Sequence, residues 1–357
     1  MSEKTKATRL TENDRLKALI PDEQTVKRDE FEKNYWKNNA IKMIKDWRLY
    51  VLLLPLILVF FFWRYMPMYE LLVAFKMGTK EGFTVISVND QDFVGFQWFK
   101  QMMFGTYAPQ FWRAFRNTFA LSFYGLVFGF PIPIIIALFF NEIKSDIYRS
   151  VLQVFSYLPK FVSTVVMTSL VSLLLRTGSA VSNYGIFSQA LVAMGLISEE
   201  AATQGLLYAP QYFRSIYIIS GIWEGSGYGS IVYFAAIIGI SPTSYEAAQM
   251  DGANKMAQIR HVVLPGILST ITIMLILRIG SLISIGYEKV LLLYNTYTYE
   301  TADVVSTFAA RVGGLEAGGT AQAGLASASE MLSAVISMLL VMGSNMISKR
   351  VSDTSLY

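Results

Sequence analysis

Cysteine is absent from this sequence, which excludes a disulfide framework, a thiolate metal site and a cysteine nucleophile. Histidine is almost absent too. The single one, His261, leaves any metal site dependent on carboxylates and offers no Ser/His/Asp arrangement. Charge is scarce: Asp, Glu, Lys and Arg make up 16% of the chain, against roughly 25% in an ordinary soluble domain. No G-x-x-x-x-G-K-[ST] phosphate loop occurs, so the chain is not expected to bind ATP itself. Gly313–Gly319 is rich in glycine but lacks the strand-then-helix setting of a nucleotide site. It reads as a flexible outer loop, or else as a gate or a contact for a partner.

What fills the chain instead is apolar sequence. Hydrophobic residues are 53% of the 357 and the mean hydropathy is +0.41. A helix that crosses a bilayer needs about 20 mostly apolar residues. Six runs qualify: Leu49–Tyr69, Phe119–Phe140, Val151–Leu175, Ile216–Ile238, Ile267–Tyr294 and Ala328–Ile347. Such runs must satisfy their own backbone hydrogen bonds in hydrocarbon, and they lack the alternation of barrel strands. The expected fold class is therefore an all-α membrane protein with six transmembrane helices.

The formal net charge of +4 is unevenly spread, because twelve of the thirty Lys and Arg lie in residues 1–48. A basic tail leading into an apolar run speaks for a membrane rather than a nucleic acid as partner. Residues 1–46 show no apolar core followed by a small-residue cleavage site, so no signal peptide is expected. The excess of positive charge before the first span places the tail in the cytoplasm. Six spans return the C-terminus to the same side, in agreement with Lys349 and Arg350. The expected division is a basic cytoplasmic tail (1–48), a transmembrane domain (49–347) and a cytoplasmic C-terminal tail (348–357). Within the first tail, Asp29–Lys45 either forms a short helix on the membrane surface or is a solvated leader. The aromatic stretch from Phe93 to Phe111 suits a helix at the outer interface, although core packing accounts for any one of its side chains.

The most informative loop lies between the fourth and fifth runs, at 241–265. Ser241 and Pro242 read as an N-cap and a first-turn proline. Gly252 is suited to end that helix and reverse the chain. A second short helix, Lys255–Val262, then leads to Leu264 and Pro265 at the start of the next span. This helix pair is too polar for the bilayer, and its small Ala247 and Ala248 permit close approach of another surface. Its spacing is Glu246-Ala247-Ala248, three residues, Gly252, nine residues, Val262, one residue, Leu264-Pro265. The spacing resembles the cytoplasmic EAA loop of permeases of binding-protein-dependent ABC importers of type I, with valine where isoleucine is more usual.

The similarity runs over about Tyr50–Arg350. It includes Tyr65-Met-Pro-Met-Tyr69, Arg116-Asn-Thr118, Phe130-Pro-Ile-Pro133, Ala137-Leu-Phe-Phe-Asn-Glu142, Ser156-Tyr-Leu-Pro159, Ile222-Trp223 and Ala235-Ala-Ile237. These segments are most similar to the lipoprotein-dependent multiple-sugar branch, the LplB-like permeases. The resemblance implies the type I importer permease fold with a cytoplasmic coupling helix in a bacterial inner membrane. It also implies a second homologous permease subunit, two ATP-binding cassette ATPase subunits that hold ATP and Mg, and an extracytoplasmic solute-binding lipoprotein. Membrane lipid is a further partner, nucleic acid is not, and no cofactor is expected on this chain. Glu246, Ala247, Ala248, Asp251, Gly252, Leu264 and Pro265 would couple it to the ATPase, with Glu246 facing that partner and Gly252 making the bend.

Ionisable groups inside spans usually face a cavity or a partner. Sugars are bound through hydroxyl hydrogen bonds and stacking on aromatic rings. Trp223, Glu224, Tyr228, Tyr233, Arg278, Tyr287 and Glu288 are accordingly the candidates for the substrate pathway. Arg278, Glu288 and Lys289 could instead bridge to a partner permease. The expected function is a non-enzymatic permease that moves a carbohydrate, expected to be an oligosaccharide, into the cytoplasm. The competing readings are an importer permease for a non-sugar solute and a stand-alone secondary transporter, which would need coupling carboxylates in broken helices.

Overall fold

A computed structural model describes Asn39 and residues 44–77, 92–178, 184–314 and 322–351. Most of the N-terminal tail, including the surface helix expected at Asp29–Lys45, lies outside the described residues, as do 315–321 of the glycine-rich loop. The described residues are helical, apart from turns and one isolated bridge between Lys76 and Phe93. The chain divides into two units, Met1–Tyr69 and Glu70–Tyr357.

The first unit holds helix α1 (Trp47–Phe60), which has no buried residue, with Leu52 76% exposed. A π-turn, Phe61–Tyr65, follows it and leads into a 3-10 turn, Met66–Phe75.

The second unit contains the helices α2 (Gln97–Phe104), α3 (Ala108–Glu142), α4 (Asp146–Phe161), α5 (Thr164–Leu174), α6 (Ile186–Ala193), α7 (Glu199–Gln204) and α8 (Pro210–Ile238). After them come α9 (Pro242–Met250), α10 (Lys255–Gly266), α11 (Leu268–Gly280), α12 (Tyr287–Leu293), α13 (Tyr299–Ala302), α14 (Val305–Val312) and α15 (Ala323–Val351). By length and composition, three helices can cross a membrane: Trp47–Phe75, Ala108–Glu142 and Ala323–Lys349. The number rises to six if three sharply bent pairs each count as one crossing.

Two of the expected continuous spans are broken. Val151–Leu175 is not one helix, because α4 and α5 meet at 99°. Pro159 opens a 3-10 turn, Val162 is extended, and Ser163 accepts a hydrogen bond from the Val166 amide to cap a new helix. Ile267–Tyr294 is interrupted after Gly280, and helix resumes at Tyr287. Sequence hydropathy does not register such breaks, since the breaking residues are themselves apolar or small.

The remaining irregularities follow proline. Each of three π-turns, at Phe61–Tyr65, Gly125–Gly129 and Ile259–Val263, ends two residues before a proline: Pro67, Pro131 and Pro265. Proline has no N–H to donate, and its ring crowds the carbonyl one turn earlier. Widening that turn accommodates both effects without ending the helix.

Three apolar clusters hold the second unit together. Leu121, Val171, Phe213, Val290, Leu293 and Val304 join α3, α5, α8 and α12. Met102, Phe111, Phe308 and Leu325 join α2, α3, α14 and α15. Ala137, Tyr233, Ile237, Val263 and Ile267 join the second half of α3 to α8 and α10. The aromatic stretch expected at the outer interface is split between these roles. Met102 and Phe111 are fully buried, whereas Phe93, Phe96 and Phe104 are more than 70% exposed.

Candidate functional site

Two regions collect the candidate residues. The first is the helical hairpin α9–α10. Pro242 occupies the first turn of α9 as expected, but Ser241 does not cap it; its hydroxyl pairs with Thr243 at 2.7 Å. At the other end the Ala253 amide donates to the Ala248 carbonyl and the Gly252 amide to that of Gln249, at 2.9 and 3.0 Å. This is the Schellman arrangement, which needs a residue with positive φ. Gly252 supplies it at +76°.

Asn254 then caps α10 by accepting from the Ala257 amide, a signal present in the sequence but not read there. Glu246, Ala247, Asp251, Gly252 and Pro265 are exposed, while Ala248 and Leu264 are half-buried. Met250 and Met256 add apolar surface at 89% and 71% exposure.

The hairpin is fastened to the end of α3. Lys255 pairs with the Glu142 carboxylate at 3.1 Å. Tyr245 hydrogen-bonds Asn141, and burial, with Glu142 acting in the same sense, raises its phenol above the usual value. His261 lies 3.0 Å from the Ala257 carbonyl oxygen, a contact within its own helix.

The second region is a cavity of about 630 Å³ between α3, α8 and α11, closed at one side by Lys160 and Lys289. A volume of about 300–1,000 Å³ is usual for small-molecule sites. Glu224, from the middle of α8, sits between two lysines. One carboxylate oxygen is 3.1 Å from Lys289 Nζ and the other 3.5 Å from Lys160 Nζ. Both lysines come from the irregular segments: Lys160 from the 3-10 turn at the α4–α5 bend, Lys289 from α12 beyond the α11 break. Lys289 also lies over the Tyr217 ring, 5.4 Å from its centre.

Arg278 reaches the cavity from α11 and approaches Gly125 in the π-turn of α3. It also lines a second cavity of about 280 Å³ with Ser281, Ser284 and Gly286. Charged groups within apolar, membrane-crossing helices are costly and usually face a cavity or a partner, and four of them converge here.

Of the seven pathway candidates, the structure brings Glu224, Tyr233 and Arg278 to the cavity. Trp223, Tyr228, Tyr287 and Glu288 do not line it. Trp223 and Tyr228 are both 46% exposed, and Tyr228 packs edge-on against Phe161. Glu288 lies a third of a helical turn from Lys289 and faces outward. Lys289, which the sequence suggested as a possible bridge to a partner permease, lines the cavity instead, and so do Lys160 and Tyr217, which are not among the seven candidates. The lysines were legible as charges in otherwise apolar runs, and Tyr217 carried no such signal.

A third polar cluster is structural. Asp303, fully buried, receives Arg311 at 2.7 Å, Arg113 at 3.3 Å and Thr307 at 2.9 Å. Asn117 donates to the Glu300 and Asp303 carbonyls and accepts from Arg214. Thr118 accepts from the Val305 amide at 2.9 Å. The Arg116-Asn-Thr118 segment thus ties α3 to α8, α13 and α14.

Comparison with known proteins agrees with this architecture. Residues 129–288 match the family model described as binding-protein-dependent transport system inner membrane component. Protein LplB of Bacillus subtilis is 32% identical over 88% of this chain and 92% of its own length. The polygalacturonan/rhamnogalacturonan transport system permease protein YteP of the same organism is 31% identical over 92% and 95%. Among solved structures, a bacterial ABC transporter involved in the import of the acidic polysaccharide alginate superposes with a TM-score of 0.73. Identity there is 37%, covering 89% of this chain and 99% of the other. A bacterial alginate ABC transporter in complex with an alginate pentasaccharide-bound periplasmic protein gives 0.75 at 37% identity, covering 90% of this chain and 100% of the other.

Proposed function

The chain belongs to the family of binding-protein-dependent transport system inner membrane components, and from that premise we propose how it works as the permease of a carbohydrate ABC importer. It is a multi-pass protein of the cytoplasmic membrane. Each bent helix pair contributes one crossing, through α4–α5, α8 and α11 in turn, with the α9–α10 hairpin outside the bilayer; this gives six, with both termini in the cytoplasm. A second permease of the same fold completes the pathway. Two ATPase subunits hold ATP and Mg on the cytoplasmic side, and a solute-binding protein delivers the sugar from outside.

The observation that carries this reading is the α9–α10 hairpin. Its α9 arm and its turn are largely exposed, it is reversed by a glycine at positive φ, and it is bonded to the end of α3. A short rigid element continuous with α8 on one side and α11 on the other is suited to pass rigid-body motion from a partner to the walls of the cavity. Glu246 faces the ATPase groove, Ala247 and Ala248 allow close approach, and Gly252 fixes the bend. Leu264 and Pro265 join the lever to the next crossing.

The test is to purify the chain under a tag from its own host and identify what accompanies it. A second permease and an ATPase are expected. Gly252→Pro removes the Gly252 amide donor and forbids the positive φ. It should abolish sugar-stimulated ATP hydrolysis in the assembled complex, and full activity in that variant would remove the support for this reading.

A further inference from the structure

The cavity has more positive charge than its own residues balance. Its charged lining is Lys160, Arg278 and Lys289 against Glu224 alone. Glu224 is already committed, one oxygen to each lysine. Among the described residues, Arg278 forms no ion pair.

We propose that the transported carbohydrate is anionic, an oligosaccharide carrying ring carboxylates, and that Arg278 with the two lysines receives those carboxylates as it passes. This rests on the importer reading above and names its substrate class.

Four features support it. Guanidinium presents a planar fork of donors that matches a carboxylate in two parallel hydrogen bonds. Arg278 lines both cavities, so a ligand moving from one to the other passes it. The lysines are placed by two helix breaks, so closure of the pathway would bring their charges together unless an anion lies between them. Finally, few rings are free to stack on a neutral sugar: Trp223, Tyr228 and Tyr287 do not line the cavity, Lys289 lies over Tyr217, and Tyr233 is 3% exposed. A neutral sugar gains nothing from excess cations that must lose water as helices close. The alginate importer, similar in fold, handles a polymer of the expected sign.

The experiment uses the full complex with its binding protein in proteoliposomes. ATP hydrolysis and uptake are measured with oligosaccharides of galacturonate, of glucuronate and of mannuronate/guluronate, each against its neutral counterpart. The expected result is stimulation by an acidic series and not by its neutral partner. Arg278→Gln should lower that stimulation at least tenfold, and Arg278→Lys should recover part of it. The binding protein's own affinity for the sugar should stay unchanged throughout. If Arg278→Gln fails to assemble, Lys160→Gln, altering a side chain 47% exposed, serves instead with the same expectation at about threefold. Stimulation by neutral sugars alone, or wild-type transport of the acidic series by the Gln variants, overturns the proposal and leaves the importer reading standing. If no saccharide of either kind stimulates, the carbohydrate reading itself falls.

Discussion

A Cβ at Gly227 would lie 2.0 Å from the Ser156 carbonyl oxygen, whereas one at Gly225 would meet nothing within 4 Å. The two positions are neighbours on α8, yet one faces the backbone of α4 and the other faces open space. Gly227→Ala must therefore push two helices apart, at a cost of about 1–3 kcal/mol. Gly225→Ala should be neutral or stabilising by about 0.5–1 kcal/mol, since alanine suits a helix better. Thermal unfolding of the purified complex separates the two outcomes. At Asp303 the expected effect is larger. Removing the fully buried carboxylate in Asp303→Ala takes the ion-pair partner from both Arg311 and Arg113, which costs about 3–5 kcal/mol. Arg113→Ala should cost less, because that side chain is 35% exposed and Arg311 still pairs the carboxylate. The same melting experiment, read as a ranking, checks this.

The instructive element is the hairpin α9–α10 and its attachment. The Lys255–Glu142 pair is largely exposed on the lysine side, at 68%, so its contribution to folding is under about 1 kcal/mol. The mechanical role proposed for the hairpin is separate from that stability: the pair links the hairpin to α3, one wall of the cavity. Lys255→Glu should leave the melting temperature within a degree or two, yet reduce sugar-stimulated ATP hydrolysis about two- to fivefold. Combining it with Glu142→Lys should restore the rate, and a double-mutant cycle measures the coupling. An unchanged rate in Lys255→Glu would mean that α3 takes its motion from elsewhere. The π-turns show the same logic on a smaller scale. Proline at 67, 131 and 265 widens the turn before it and keeps the helix going. In α3 that widened turn is where Arg278 approaches.

At the scale of the whole molecule, the second unit holds a cavity of balanced and unbalanced charges and an exposed hairpin. The two regions share α3 and α8, and no soluble domain intervenes among the described residues. Glu246 illustrates the separation of fold from coupling. It is exposed and forms no ion pair among the described residues. Glu246→Arg should therefore leave the permease folded and at its normal melting temperature, while lowering ATPase coupling tenfold or more. Co-purification of the ATPase and stimulated hydrolysis provide the measurement. A variant that loses its fold along with its activity would show that Glu246 has a structural role instead.

Family and class were legible in the residues alone. Long apolar runs in hydrocarbon leave helix as the only way to satisfy the backbone, and the spacing from Glu246 to Pro265 survives any change of surroundings. The turn at Gly252 was legible for the same local reason: positive φ belongs to glycine. Where the helices break was legible only in part: Pro159 and Ser163 are a local break-and-cap signal, but the 281–286 stretch is apolar or small, and there only packing decides that the helix stops. The cavity's charge was not legible. Lys160, Glu224, Arg278 and Lys289 are scattered over 130 positions, and what one charge costs or contributes is set by the charges that the fold brings within a few ångströms of it. Sequence determined which groups are present and that they lie in helices; the tertiary structure alone decided which of them face one another, since electrostatic energy depends on distance in space and not along the chain.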